Sequence, residues 1–412
     1  MHAFVARQAI FDRALDVYGY ELLFRDGPAN FFPKANLDEA SSRVIEESLL
    51  VFGLDRLVPG KLVFVNVTRR ILLEGLFRVL PPERAVIELL ETVEPDAETV
   101  AACRALKDAG YTLALDDFTY TAAHEPLLDL ADIVKLDFRS MGLDERHRLS
   151  AELRRRRIRL LAEKLETRQE FEEALRDGFS LMQGHFFCRP KIVTAKSIPG
   201  FKLHYLSVLG EIHKPDLDMD ALAEMIERDV SLTVKLLRYL NSAAFGWRAP
   251  VSTVRQALFV LGERPFRRWA SVVLLSGLGS DQPNELAVTS VVRARFASLL
   301  GHDLGLDDRN RDLFLAGLLS LLDAFTGLPL ADAIGSLGLS AEMREVLLEE
   351  GNPGAGVLAL VAAYERANWT RVGELAASLD ADEASLPHHY LDAVNWADRI
   401  FHRAEGTARY ES

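Results

Sequence analysis

The chain is poor in cysteine. Only Cys103 and Cys188 occur among 412 residues, with no CxxC pair and no metal-ligand spacing. That excludes a disulfide framework and thiolate-based zinc sites, and it fits a reducing compartment. An excess of positive charge is also missing. The formal net charge is −13, which disfavours a broad surface for nucleic acid or anionic lipid. The N-terminus, MHAFVARQAIFDRALD, lacks the apolar core of a signal peptide. No run approaches the ~20 apolar residues of a bilayer span, and candidates such as Val357–Tyr364 have the length of buried helices. No glycine-rich phosphate loop follows the first strand. These absences lead us to expect a soluble, cytoplasmic protein. At 412 residues it is too long for one ordinary core, so two domains are expected.

The first half alternates β-rich runs with amphipathic segments. The runs are Phe4–Gln8, Val17–Phe24, Lys61–Val67, Ala85–Glu91, Thr112–Phe118, Ile133–Phe138, Arg159–Glu166 and Leu181–Phe187. Several are nearly continuous apolar stretches, as in parallel strands covered on both faces. Helical stretches such as 39–52, Asp96–Ala109 and Arg168–Asp177 lie between them. About eight strands with intervening helices in under ~200 residues predict an α/β domain with a (β/α)8 barrel. A doubly wound open sheet is the alternative.

The polar residues favour the barrel. Asn66, Glu88, Asp116 with Asp117, Lys135, Glu163 and Gln183 each fall at or near the end of a separate run, and Glu21 lies in the second. Any one of them reads as a strand-end contact or helix cap. Six in succession converge on the face where barrel enzymes keep their sites, and buried charge there needs a partner or a metal.

After Lys191–Phe201, punctuated by Pro199–Gly200, strand signals nearly vanish. Helical spacing continues through Ala221–Arg228, Leu232–Asn241, Val254–Leu261, Phe266–Leu275, Ala287–Leu304, Arg311–Leu322, Ala341–Glu349, Val357–Ala367, Val372–Ala377 and His389–Ala404. Asp229, Ser252 and Ser340 are expected N-caps. The expected domains are therefore 1–198, a barrel, and 199–412, all-α.

Read in order, the first half resembles the EAL family of cyclic di-GMP phosphodiesterases. Glu21–Arg25 (ELLFR) matches E-A-L-x-R with Leu22 for alanine. Phe64–Val67 carries the asparagine strand, and Glu88–Glu91 the E-x-x-E strand. Asp116–Phe118 matches D-D-F, Lys135–Asp137 K-x-D, Ala162–Glu166 A-E-G-V-E, and Gln183–Phe187 Q-G-Y-x-F. The resemblance implies Mg2+ or Mn2+ as cofactor. Glu21, Asn66, Glu88 and Asp116 would surround one ion, and Asp116 would bridge to a second held by Asp117 and Glu163. Lys135, Glu163 and Asp117 would serve catalysis, with Arg25, Gln183 and Asp137 on the substrate side. Two departures stand out. Thr119–His124 (TYTAAH) replaces a loop of the type G-T-G-Y-S-S, and Lys164 replaces the glycine of A-E-G-V-E. They leave two readings open, a phosphodiesterase giving pGpG and a catalytically silent scaffold.

The second half resembles the HDOD domain, a helical relative of HD phosphohydrolases, in Glu227–Gly246 and Val251–Gly262. Phe314–Leu322 resembles A-G-L-L-H-D, with Ser320 and Leu321 where metal ligands would stand. This implies a bacterial signalling protein whose HDOD domain is an output or docking module for an unidentified signalling partner. Other motifs read as structural. His302-Asp303 is a helix-end pair, and Gly354–Ala359 follows a helix rather than the strand a dinucleotide site requires. Arg154–Arg157 is a solvated helix face, and His388-His389 a surface coincidence.

Overall fold

The computed structural model describes residues 3–26, 54–189, 200–213, 218–227, 229–241, 251–306, 310–335, 337, 339–348 and 352–405. The expected helix over 39–52 and the side chain of Arg25 lie outside the described residues, as do most of the Lys191–Phe201 boundary and residues 242–250 of the first HDOD-like stretch.

Eight strands form one closed barrel in sequence order: β1 (Ala3–Asp12), β2 (Val17–Asp26), β3 (Leu62–Val67), β4 (Ala85–Leu89), β5 (Thr112–Leu115), β6 (Ile133–Asp137), β7 (Arg159–Leu165) and β8 (Leu181–Gly184). The helices of this part are α1 (Leu54–Leu57), α2 (Arg69–Glu74), α3 (Ala97–Asp108), α4 (Glu125–Leu128), α5 (Leu143–Arg155) and α6 (Arg168–Asp177). Thr68 and Asp96 cap α2 and α3, and Thr167 with Glu170 forms a capping box on α6.

The ladder departs from an all-parallel barrel at one strand. β1 runs antiparallel to both β2 and β8. Only Arg13–Asp16 separate β1 from β2, too few residues for a crossover helix. The Asp12 carboxylate closes that turn by accepting from the Ala14 and Asp16 amides at 2.8 and 3.1 Å.

The barrel interior is layered by the two-residue period of its strands. Ile10, Phe64, Val86, Ala114, Ile133, Leu161 and Leu181, one from each of seven strands, form a fully buried apolar plug. On the remaining strand, β2, Gly19 faces this layer. A Cβ there would come within 2.8 Å of the Leu62 carbonyl and 2.9 Å of the Phe64 ring, so glycine is what lets Phe64 fill the centre. Two residues further along the same inner faces come Asn66, Glu88, Asp116, Lys135, Glu163 and Gln183. Two residues back on the reversed β1 comes Gln8. An apolar floor thus lies under a polar layer.

The chain divides into two compact units. One comprises Met1–Arg189, Val292–Phe314 and Gly356–Ser412, and the other Pro190–Val291 and Leu315–Ala355. By packing, then, part of the expected 199–412 segment belongs with the barrel. The β1–β2 hairpin leaves the outside of β1 without a crossover helix, and helices from the C-terminal part cover it. Tyr364, fully buried, donates to the Val5 carbonyl at 3.3 Å, and the Arg7 amide donates to the Tyr390 hydroxyl at 3.3 Å. The Arg7 guanidinium is buried, donates to the Leu57 carbonyl at 3.0 Å and lies 3.5 Å from Asp398.

The second unit is helical. Lys202, buried, joins Asp281 at 2.7 Å to the Phe325 carbonyl at 2.9 Å, and Asp229 caps the helix Val230–Leu240. Ser340 caps as expected, whereas Thr253 rather than Ser252 caps Val254–Leu261. Helices Gly200–Ile212, Leu322–Thr326 and Leu330–Gly335 add to those read from sequence. One amendment concerns length. The stretch Ala341–Glu365 has the length and apolar character of a bilayer span, and 53% of its most apolar window is buried in the protein, as in a core helix.

Arg7→Ala removes the cation paired with Asp398 and the donor to the Leu57 carbonyl. It is expected to cost about 3 kcal/mol, the scale for breaking a buried pair from one side. Chemical denaturation followed by circular dichroism checks this, and an unchanged midpoint would contradict the role given to the β1 cover.

Candidate metal centre and active site

The C-terminal ends of β3 to β8, with β2, deliver the polar layer to one mouth of the barrel. At its centre is the ammonium of Lys135, fully buried on β6. Four carboxylates surround its Nζ: Asp116 Oδ1 at 2.8 Å, Glu88 Oε1 at 2.9 Å, Glu163 Oε1 at 2.9 Å and Glu21 Oε2 at 3.2 Å. Asn66 donates to Glu21 Oε1 at 2.7 Å. Gln183 donates to Glu21 Oε2 at 2.7 Å and to Gln8 Oε1 at 2.9 Å. Seven of the residues singled out in the sequence therefore meet: Glu21, Asn66, Glu88, Asp116, Lys135, Glu163 and Gln183.

The arrangement is short of positive charge. Four carboxylates against one ammonium sum to −3 if all are ionised. An ammonium also has three N–H donors, fewer than the four carboxylates it faces. Glu88 shows the shortfall. Its Oε1 lies within ion-pair distance of Nζ without a hydrogen bond, and its Oε2 has no partner. Glu163 Oε2, Asn66 Oδ1 and Gln183 Oε1 are likewise buried without a hydrogen bond.

Ionisation responds accordingly. Burial, reinforced by Glu21, holds the Glu88 carboxyl well above its ordinary range. Burial also raises Asp116, and pushes Glu163 up to about 8, against the pull of Lys135. For Glu21 burial works in the same direction, but Lys135 with the Gln183 and Asn66 hydrogen bonds outweighs it and leaves it below the usual range. Burial lowers Lys135, yet its four carboxylates overcome this and hold it charged.

These residues fit a hard divalent cation. Every donor is oxygen, five buried oxygens lack a hydrogen bond, and the local charge is negative. With Lys135 at the centre the carboxylates stand apart. Among the described residues no three His, Cys, Asp or Glu side chains converge on one metal position. A bound ion therefore requires Lys135 to give up part of its place.

Asp117 and Asp137 do not join this cluster. Both pair with Lys164, whose Nζ lies 3.1 Å from Asp117 Oδ1 and 2.8 Å from Asp137 Oδ2. Lys164 takes φ +59 in β7, where the register with β8 shifts between Ala162 and Leu165. That conformation costs a non-glycine residue roughly 1 kcal/mol or more. Gly184 opposite takes φ +149, and a Cβ there would come within 2.0 Å of the Leu165 carbonyl. Lys164 is lowered by burial, but its bonds to Asp137 and Asp117 raise it well above the ordinary lysine range. Asp137 Oδ1 accepts from the Arg139 and Ser140 amides, both at 3.0 Å.

The TYTAAH segment is shaped by its side chains rather than by glycine. Thr121 bonds His124 at 2.8 Å, and Tyr120 donates to Glu125 at 2.6 Å, which Arg156 pairs at 2.7 Å. A cavity of about 260 Å³ opens beside the cluster, lined by Leu89, Glu91, Asp116, Asp117, Phe118 and His124 among others.

Sequence reasoning missed two participants. Gln8 was legible by its spacing from Ile10, but the reversal of β1 hid which end of the strand faces the site. Lys164 was noted as a departure, while its bridge between two aspartates depends on the bulge. The remaining motifs resolve structurally. Asp303 and His389 pair with each other at 2.6 Å, and Asn352 receives the Gly354 amide as the helix Pro353–Glu365 begins. Arg154, Arg155 and Arg157 are exposed at the end of α5. Ser320 donates to the Gly317 carbonyl at 2.8 Å, and Leu321 is buried.

Residues 198–328 match the HDOD domain family. Over 403 residues the chain is 33% identical to the cyclic di-GMP phosphodiesterase CdgJ of Vibrio cholerae serotype O1, covering 96% of this chain and 93% of that protein. It is 32% identical over 408 residues to the uncharacterized protein YuxH of Bacillus subtilis, covering 97% and 99%. Among solved structures, Klebsiella pneumoniae BlrP1 in a calcium and cyclic di-GMP complex aligns with 46% of this chain and 56% of its own, at 24% identity and a TM-score of 0.39.

Glu163, held at about 8, generates a pH prediction. A folded-state pKa above the unfolded 4.5 stabilises the metal-free protein fully below about 4.5, and that contribution is lost as pH rises through about 8. Divalent cations need the deprotonated carboxylate, so their stabilisation should grow over the same interval. Thermal unfolding with chelator and with Mn2+, from about pH 5 to pH 8, checks both. A Mn2+ effect independent of pH would contradict the assignment.

Proposed function

The chain belongs to the family of Vibrio cholerae CdgJ and Bacillus subtilis YuxH, and on that premise we propose that its barrel is of the EAL type and hydrolyses cyclic di-GMP to linear pGpG. The observation that carries this reading is the ring of four strand-end carboxylates about Lys135, with five buried oxygens of the cluster left without hydrogen bonds. Glu21, Asn66, Glu88 and Asp116 would hold Mg2+ or Mn2+, with Glu163 beside them. A bound divalent cation supplies charge to the phosphate oxygens and acidity to water.

The remaining chemistry falls to the chain's own residues. Lys135, partly released from its carboxylates, turns its ammonium toward charge developing on the phosphate. Glu163 Oε2, free of any hydrogen bond, can accept a proton from the attacking water. A P–O bond forms to the water oxygen, the P–O3′ ester bond breaks, and the 3′ oxygen leaves with a proton from solvent, to which Glu163 releases the one it took. Gln183, anchored to Glu21 and Gln8, orients the water or the dinucleotide, and we assign Arg25 and Asp137 to the substrate side as the EAL resemblance implies. The cavity beside Asp116 and Asp117 offers room for part of the ligand. The silent-scaffold alternative has no specific observation in its favour, since the TYTAAH segment leaves the carboxylate ring intact.

For the helical part we propose an output or docking role toward a signalling protein in the bacterial cytoplasm, with 1–198 and 199–412 as the functional division. The HDOD match at 198–328, with Ser320 and Leu321 at the position of the ligand pair, supports this. So does Phe259, 89% exposed on the helix Val254–Leu261. Cys103 and Cys188, neither in a disulfide, accord with a reducing compartment.

Incubation of the full chain with cyclic di-GMP and Mn2+, resolved by chromatography, tests the activity. We expect pGpG, reduced on the order of 100-fold or more in Glu21→Ala and lowered chiefly in kcat for Lys135→Met. No cyclic di-GMP binding and no product with either metal would overturn the proposal.

A further inference from the structure

Lys164 is the charged group at the barrel mouth that the proposed chemistry leaves unused. It follows Glu163 directly, on a strand that bulges to accommodate it at φ +59. Its side chain, about half exposed, does not extend into solvent. It turns back to set Nζ 3.1 and 3.4 Å from the two Asp117 oxygens and 2.8 Å from Asp137 Oδ2. Asp137 Oδ1 is already engaged by two backbone amides, so Oδ2 is the oxygen it has left for a cation. Asp117, itself at φ +39, thus lies against Lys164, whereas its chain neighbour Asp116 faces Lys135.

The two lysines thus divide the acidic residues. Lys135 gathers Glu21, Glu88, Asp116 and Glu163, and Lys164 gathers Asp117 and Asp137. A free divalent cation approaching Asp117 would meet an ammonium already in contact with both of its oxygens, and tethering to β7 keeps that ammonium at a high local concentration. The first group is shorter still of positive charge. It holds four carboxylates for one ammonium and keeps buried oxygens without hydrogen bonds.

We propose that Lys164 is a built-in cation that takes the place of a second divalent ion beside Asp117, so that this chain carries a single exchangeable divalent cation, at Glu21, Asn66, Glu88 and Asp116. The inference rests on the proposed reading of that first site. It makes Lys164 a positioning residue, which keeps Asp117 out of the metal cluster and supplies fixed positive charge at the edge of the site.

Titration of the full chain with Mn2+, with free ion followed by electron paramagnetic resonance, tests this without measuring turnover. Wild type is expected to bind one Mn2+. Lys164→Gln, which keeps a side chain at the same backbone position but removes its charge, and Lys164→Gly, which also relieves the backbone, are both expected to bind two. The added ion should bind tenfold or more tighter than any second ion in wild type. Equal stoichiometry in wild type and Lys164→Gln overturns the inference, whether the shared number is none, one or two. Gain of the second ion in Lys164→Gly alone also overturns it, because backbone freedom rather than charge would then be responsible. Glu88→Gln reports separately on the first site. If wild type and Glu88→Gln bind the first ion equally, the reading of the cluster fails, whereas the inference about Lys164 fails only on the lysine comparison.

Discussion

Three N–H donors on Lys135 face four carboxylates in a water-excluded barrel mouth, and that mismatch governs the rest of the site. Charge cannot be balanced there by the protein alone. Without a cation, burial and mutual repulsion raise the Glu88, Asp116 and Glu163 carboxyls above their ordinary range, with Glu163 reaching about 8. A divalent ion would offset two of the three excess negative charges and engage oxygens that have no hydrogen bond. The same deficit accounts for the raised carboxyls, the unpartnered oxygens and the all-oxygen donor set.

The barrel exists in a form that can hold this imbalance. An apolar floor from Ile10 to Leu181 excludes water beneath the charged layer, and Gly19 yields its place so that Phe64 fills the centre. The reversed β1 brings Gln8 up to Gln183, which in turn anchors Glu21. The cost of that reversal is a strand with no crossover helix over it. Tyr364, Tyr390 and Asp398 meet that cost from the C-terminal part of the chain, which is why residues distant in sequence belong to the barrel's compact unit.

Much of this was legible in the sequence, for a physical reason. Strand period two puts Phe64 and Asn66, Val86 and Glu88, or Leu161 and Glu163 on one inner face, so polar residues at the ends of apolar runs betray a shared mouth. Element positions in the helical part were equally readable from 3.6-residue spacing, with Val254–Leu261 recovered to the residue. Other features were not readable. An amphipathic helix declares that one face is covered but not by what, so the return of the C-terminal helices to β1 could not be foreseen. Gly200–Ile212 begins at the Pro199–Gly200 punctuation, which reads as a boundary rather than a helix start. The partition of Asp116 from Asp117 goes with positive φ at both Asp117 and Lys164, and spacing carries no sign of either.

Lys135 stands at the position around which a divalent cation is to be held. Crystals of the protein grown with Mn2+, measured at the manganese absorption edge, test it most directly. The account predicts an anomalous peak coordinated by Glu21, Asn66, Glu88 and Asp116, with the Lys135 ammonium displaced from its present contact with at least one of the carboxylates. Lys135 still in contact with all four carboxylates, with no anomalous peak among those residues, would contradict it.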